Sequence, residues 1–330
     1  LCTPQSGEHG LRPRSTKVFS PDPLISPSVS GEMAYVTFIP FLMWATSVAA
    51  FVDEWLAMPD GRLYHYSCVH RQEDGVVPGS LPPCPHAPRQ ARAADESGVN
   101  YYSDWAVYAQ MTSPNGVSLM SSTFHVPPAP TSRGPAGLSS IYLFNGLEDG
   151  GGHHGNASLI LQPVLQYGKS GCVLNPLTWA QWHWTAFLVD GSGRAYCGKV
   201  LKVEEGEEVV GNMTLTSSRD NATQQMWEVV AARPKTGEIS THIVQLENKL
   251  LNAAYITLEA MICYSCKAYP DTPKTTFSSN VLFDSEGKRV PIGVAPYTWT
   301  PMARHTECGQ QAVPASDGSG DVSLRFRQGA

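Results

Sequence analysis

The stretch "NASLILQPVLQYG", residues 156–168, reads as a β-strand: it is short and apolar, and it is broken by Pro163 and Gly168. An amide, Gln162, stands in its middle, where a buried strand takes Leu or Val. A buried amide costs free energy unless it is hydrogen-bonded, so Gln162 needs either a partner or a task.

The neighbouring sequence repeats the texture. From about Asn100, apolar runs recur roughly every ten residues between Gly, Pro, Asn and Asp: "DWAVYAQM", "VSLMSSTFHVP", "SSIYLFNGL", "WAQWHWTAFLV", "QQMWEVVAARP", "STHIVQLEN", "TTFSSNVLFD" and "DVSLRFR". That spacing predicts an all-β chain folded as an antiparallel β-sandwich. "QLENKLLNAAYITLEAMICY" is the exception. Leu246, Leu250, Ala253, Ala254, Leu258 and Met261 fit a helical stripe, and propensity favours helix. Alternation over Tyr255–Glu259 also fits a strand.

The chain has 330 residues, enough for one large or two small domains. Its formal net charge is −6 and it carries no strong basic run, which argues against nucleic acid as a partner. Residues 1–32 are Ser/Pro-rich and read as a non-native or disordered leader. Residues 33–50 form an apolar run ending in Ser-Val-Ala-Ala, and read as a signal peptide cleaved after Ala50. The run is short and interrupted by Pro40, so no membrane association is expected of the mature form. Residues 51–97 read as an N-terminal segment that is either a cap on the domain or a propeptide and linker, with Arg89 and Arg92 as candidate processing sites. Residues 98–330 are the sandwich domain.

Cysteine usage agrees with secretion. Past the signal stand Cys68, Cys84, Cys172, Cys197, Cys263, Cys266 and Cys308, and in an oxidising compartment most should pair. Cys68–Cys84 and Cys172–Cys197 are candidate local bridges. Seven is odd, so one thiol is left over. Cys263-x-x-Cys266 has no second CxxC or spaced His pair, which favours disulfides over zinc. Sequons at Asn156, Asn212 and Asn221 mark candidate glycosylation sites. His153 and His154 lack a third ligand at metal spacing, so no metal and no cofactor is expected. No Gly-x-Ser-x-Gly elbow, P-loop or dinucleotide motif occurs.

The order of the pieces resembles a family. "DWAVYAQM", "SSTFHVPPAP", "IYLFNGLEDGG", "LILQPVLQYG", "TWAQWHWTAF", the acidic turn "VEEGEEVVGNMTL" and "NAAYITLEA" follow one another as comparable motifs do in the glutamic peptidases, or eqolisins, over roughly residues 100–290. The resemblance implies a bent antiparallel sandwich of the jelly-roll, concanavalin-like kind. It also implies a catalytic Gln and Glu on neighbouring strands. "ILQ" puts the Gln at Gln162, and "NAAYITLEA" puts the Glu at Glu259, which makes that segment a strand.

The implied chemistry is coherent. A carboxylate holds a water as general base, and an amide donates N–H to the oxyanion. An amide does not titrate, so the pair works in acid, where a His base would be protonated. Two departures stand out. The family's Gly-Ile-Asp-Gly becomes Gly146-Leu147-Glu148-Asp149-Gly150, and Asp149 is the better match if one residue is inserted. In "WAQWHW" either His183 or Gln181 replaces the family's Glu, so a cleft carboxylate is lost. Asp149, Trp182, His183 and Trp184 are therefore the expected substrate-binding residues. Trp182 and Trp184 share one strand face, either as a cleft wall or as sandwich core.

Two kinds of partner follow: a peptide or protein substrate, if the chain is an acid endopeptidase, or a glycan or protein, if it is a non-catalytic binding module. The first requires Gln162 and Glu259 to converge on one gap; the second requires the aromatics to converge.

Overall fold

The computed structural model describes residues 55–71, 82–90, 102–134, 137–149, 159–190, 192–219, 224–247, 249–263 and 265–327. The leader, the signal run, Arg92, His153, His154 and the sequons at Asn156 and Asn221 lie outside the described residues. Asn212 sits half-buried in a strand.

Strands dominate. The N-terminal part supplies β1 (Trp55–Ala57), β2 (Arg62–His65), β3 (Val69–Arg71) and β4 (Arg89–Gln90). The sandwich follows with β5 (Tyr102–Thr112), β6 (Val117–His125), β7 (Ser140–Asp149), β8 (Leu159–Tyr167), β9 (Trp182–Asp190), β10 (Ala195–Cys197) and β11 (Leu201–Val203). Then come β12 (Glu208–Arg219), β13 (Gln224–Arg233), β14 (Glu238–Glu247), β15 (Leu251–Cys263), β16 (Lys274–Asp284), β17 (Thr300–Ala303), β18 (Gln311–Pro314) and β19 (Val322–Arg325).

They form three layers. A nine-stranded sheet runs β17-β5-β15-β7-β8-β9-β10-β3, with β11 also on β9. A seven-stranded sheet runs β14-β13-β12-β6-β16-β19-β18. One apolar core, which includes Leu161, Leu165, Trp184, Phe124 and Trp227, lies between these two. The small sheet β1-β2-β4 lies on the other face of the nine-stranded sheet. There a second core joins Met58 and Tyr64 to Trp105, Tyr142, Phe144, Val164 and Tyr255.

This layering explains the ambiguous segment. Residues 251–263 are strand β15, not helix, and almost every residue in it is buried. A strand covered on both faces has no reason to alternate apolar with polar, so its sequence loses the period of two. β13 and β14, with one face open, keep clean alternation. Pro163 does not break β8, which runs through it from Leu159 to Tyr167. Pairing with β7 is seen at Phe144↔Val164 and Leu147↔Leu161, on either side of the proline, which lacks the N–H that a ladder needs.

Three disulfides are present: Cys68–Cys84, Cys172–Cys197 and Cys266–Cys308. Both local bridges expected from spacing are among them. Cys263 stands outside them, buried, with its thiol 3.3 Å from the Ser265 carbonyl. The Pro/Arg-rich stretch is fastened to the body at residues 82–90. Arg194 Nη1 donates to Pro82 O at 3.2 Å, and the Arg89 guanidinium lies 3.6 Å from the centre of the Trp55 ring. Among the described residues no helix is long and apolar enough to cross a membrane, and no His/Cys/Asp/Glu group could hold a metal ion.

Candidate active site

Glu259 is fully buried on β15, on the face that meets the small sheet. Its neighbours across the sheet are Trp105 on β5 and Tyr142 on β7. Tyr142 in turn faces Gln166 on β8, Gln166 faces His183 on β9, and His183 faces Lys202 on β11. One transverse row therefore reads Trp105, Glu259, Tyr142, Gln166, His183, Lys202. Gln162, four residues before Gln166 on the same strand, shares its face and lies opposite Phe187.

The turn between β1 and β2 closes over this face. Gln162 Nε2 donates to the Pro59 carbonyl at 2.6 Å, and the Gly61 N–H donates to Glu259 Oε1 at 3.0 Å. The two residues thus grip one peptide segment, one through its carbonyl and the other through an N–H two residues on. Asp60 stiffens the turn: its carboxylate accepts from Arg62 Nε and from Tyr64 O–H, each at 2.7 Å. Gly61 has φ +75°, and a Cβ there would lie 2.8 Å from Asp104 Oδ1. The turn needs glycine for both reasons. Tyr142 O–H reaches the Ala57 carbonyl at 3.4 Å. Gln162 Oε1 and Gln166 Nε2 are buried with no hydrogen-bond partner among the described residues.

The site is electrostatically loaded. Burial, then Asp60 and Asp104, push the Glu259 carboxyl well above the usual carboxylate range, against the Gly61 N–H and the Trp105 side chain. Glu148 is raised to about 8, first by burial and further by Asp149 and Asp60, while Tyr255 and Arg62 oppose the rise. Glu259 and Glu148 lie apart on the sheet, but each feels Asp60 of the turn, and buried carboxyls with raised pKa values are common at functional clefts.

The expected substrate residues are corrected in three places. Trp182 and Trp184 are not cleft walls. They alternate with His183 and Thr185 and belong to the core between the two large sheets, where Trp184 Nε1 donates to Ala232 O at 3.1 Å. Asp149 does not join Gln162 and Glu259. Its Oδ1 accepts the Leu159 N–H at 3.1 Å and its Oδ2 pairs with Lys249 Nζ at 2.8 Å, which ties strand ends together. The acid turned toward Asp60 and Arg62 is Glu148, one residue earlier. His183 is 5% exposed and does lie on the Gln162 face. Burial first, and Lys202, lower its pKa to about 4, against the Gln181 backbone.

Two site residues escaped the sequence reading, Glu148 and Gln166. Strand parity could have found both: Glu148 lies two residues from Gly146 and four from Phe144, and Gln166 lies four from Gln162. That Gln166 shares a row with Glu259 is visible only in the pairing.

No family model and no curated protein matches the chain. Among solved structures, scytalido-glutamic peptidase with a peptide-based transition-state analogue is similar at 12% identity and TM-score 0.46, covering 67% of this chain and 98% of that one. The same peptidase with a transition-state analogue inhibitor gives 14% and 0.46, over 68% and 99%. SCP-B, a member of the eqolisin family, in complex with the tripeptide Ala-Ile-His, gives 14% and 0.44, over 67% and 98%.

Proposed function

We propose that this chain is a secreted acid endopeptidase, with Glu259 as general base and a side-chain amide as oxyanion donor, held closed by its own β1–β2 turn. The observation that carries this is the shared grip of Gln162 and Glu259 on the Pro59–Gly61 backbone. A peptide substrate offers the same carbonyl and N–H groups. In the reaction, Glu259 as carboxylate takes a proton from water, and the water oxygen bonds to the scissile carbonyl carbon. The carbonyl oxygen becomes an oxyanion that accepts the amide N–H. Glu259 then passes its proton to the leaving nitrogen as the C–N bond breaks, leaving an acid and an amine. Gln162 is the first donor by contact. Gln166 is the second, with Nε2 buried and without a hydrogen-bond partner among the described residues, in the row of Glu259.

With the turn in place, burial and Asp60 favour the neutral form of Glu259, which is not a base. Removing the turn takes away both the burial and Asp60, the two largest causes of its raised pKa. The carboxyl then returns toward the range in which it ionises in acid. Three disulfides support an oxidising, extracellular setting. The glycan-binding alternative loses its aromatic wall, because Trp182 and Trp184 face the core.

The test is cleavage of a denatured protein across acidic pH by chains with the β1–β2 turn intact and with it loosened. Glu259→Gln, Gln162→Ala and Gln166→Ala variants are compared, with folding followed by circular dichroism. The expected result is activity after loosening. Glu259→Gln should reduce it by about a hundredfold or more, and loss of the working amide by a similar factor. A folded, loosened chain that cleaves nothing at any pH overturns the reading and leaves a peptide-binding module.

A further inference from the structure

The transverse row that starts at Trp105 and Glu259 ends at His183 and Lys202, and there the same face opens into a second cleft of about 820 Å³. Its polar lining includes Arg71, Lys199, Lys202 and His183, and no Asp or Glu is among its lining residues within the described part of the chain. In a chain with a net charge of −6, three permanent cations in one cleft run against the overall balance. Val173 and Leu174 supply apolar wall. His183 is 5% exposed, and its Nδ1, buried in the cleft lining, makes no well-formed hydrogen bond among the described residues, the Gln181 backbone being only a weak partner of the ring. Such an atom costs free energy until something polar reaches it.

Both lysines are exposed, and each has an acidic neighbour. Lys202 Nζ lies 3.1 Å from Glu204 and Lys199 Nζ lies 3.9 Å from Glu238, and all four side chains are at least 42% exposed. Exposed pairs of this kind are worth little, so both ammonium groups can turn to a ligand.

We propose that this cleft binds a carboxylate carried by a peptide, with the head among Arg71, His183, Lys199 and Lys202 and the apolar stem against Val173 and Leu174. A peptide is favoured because the cleft continues the face on which Gln162 and Glu259 already hold peptide backbone. From Glu259 to His183 is three strand spacings, about 14 Å. That is about four residues of extended chain. If the peptidase reading holds, on which this placement rests, the acid lies about four residues from the bond cut.

Binding is measured on the full chain carrying Glu259→Gln, so that cleavage does not enter. Three labelled peptides of equal length are used: a free C-terminus without acidic residues, an amidated C-terminus with one Glu, and an amidated C-terminus with Gln in its place. The expected result is that at least one carboxylate peptide binds about tenfold more tightly than the neutral one. Whichever carboxylate arm keeps the advantage names its source. Lys199→Met with Lys202→Met, both exposed and tolerant positions, should abolish the advantage without loss of folding, and His183→Gln should reduce it. Equal binding of all three peptides overturns the proposal, as does an advantage that survives the double lysine variant. Inorganic phosphate that binds as tightly as the best peptide overturns the peptide part and leaves a simple anion site. A chain that binds the carboxylate yet never cleaves sinks the peptidase reading alone. In a cleaving enzyme, the neutral peptide should raise KM about tenfold with kcat unchanged.

Discussion

Gly61 is the smallest residue of the candidate site and the most exposed to test. Its positive φ, its N–H on Glu259 and its closeness to Asp104 leave no room for a methyl group. Gly61→Ala should lower stability by about 1–2 kcal/mol, read by chemical denaturation. It should also raise the rate of peptide cleavage in acid, because the strained turn lets go of Glu259. A variant equally strained but no more active would show that the turn is structural only. Gln162 shows what one residue can and cannot announce. That a mid-strand amide needs a partner was legible from its neighbours. That the partner is the Pro59 carbonyl, about a hundred positions earlier, was not, because no local pattern encodes a contact at that separation.

At the scale of elements, the two large sheets approach closely where β12 crosses β7 and β8. Gly211 lies there, with Asn145 Nδ2 donating to its carbonyl at 3.1 Å. A Cβ on Gly211 would meet Asn145 Oδ1 and Pro163 Cγ, each at 2.5 Å. Gly211→Ala should therefore cost about 1–3 kcal/mol, seen as a lower denaturation midpoint with an unchanged slope. β13 and β14 were readable from alternation. β15 was not, since its two covered faces erase the period and leave helical propensity as the loudest local signal. The order of motifs, which depends on the whole chain and not on one window, identified it as a strand.

For the whole molecule, buried titratable groups set the pH of greatest stability. Glu148, raised from 4.5 to about 8, binds a proton more tightly folded than unfolded. Its contribution is present below pH 4.5 and is lost as pH rises toward 8. His183 and His242, lowered from 6.5 to about 4 by burial first, act in the opposite sense. Their contribution is present above pH 6.5 and is lost as pH falls toward 4. Stability should peak between about pH 4.5 and 6.5. From pH 6.5 to 8, Glu148 alone should remove about 2 kcal/mol. Denaturation curves at pH 6.5 and 8 check this, and Glu148→Gln should lessen the fall between them by about 2 kcal/mol. A chain most stable at pH 8 would contradict the assignment of these buried groups.

The sequence by itself pointed to an antiparallel sandwich and offered Cys68–Cys84 and Cys172–Cys197 as candidate bridges, which the structure contains. Strand period, turn residues and short cysteine spacings are local quantities, and local quantities can be read in a window. It also offered Gln162 and, through the resemblance, Glu259 as candidate catalytic residues. Only the tertiary structure decided that Trp182 and Trp184 face the core, that Glu148 and not Asp149 is turned toward Asp60 and Arg62, and that Gln166 lies in the row of Glu259. Only it laid the β1–β2 turn across the site. Those outcomes depend on which strands pair and which face a third layer covers, and a one-residue change in parity reverses them.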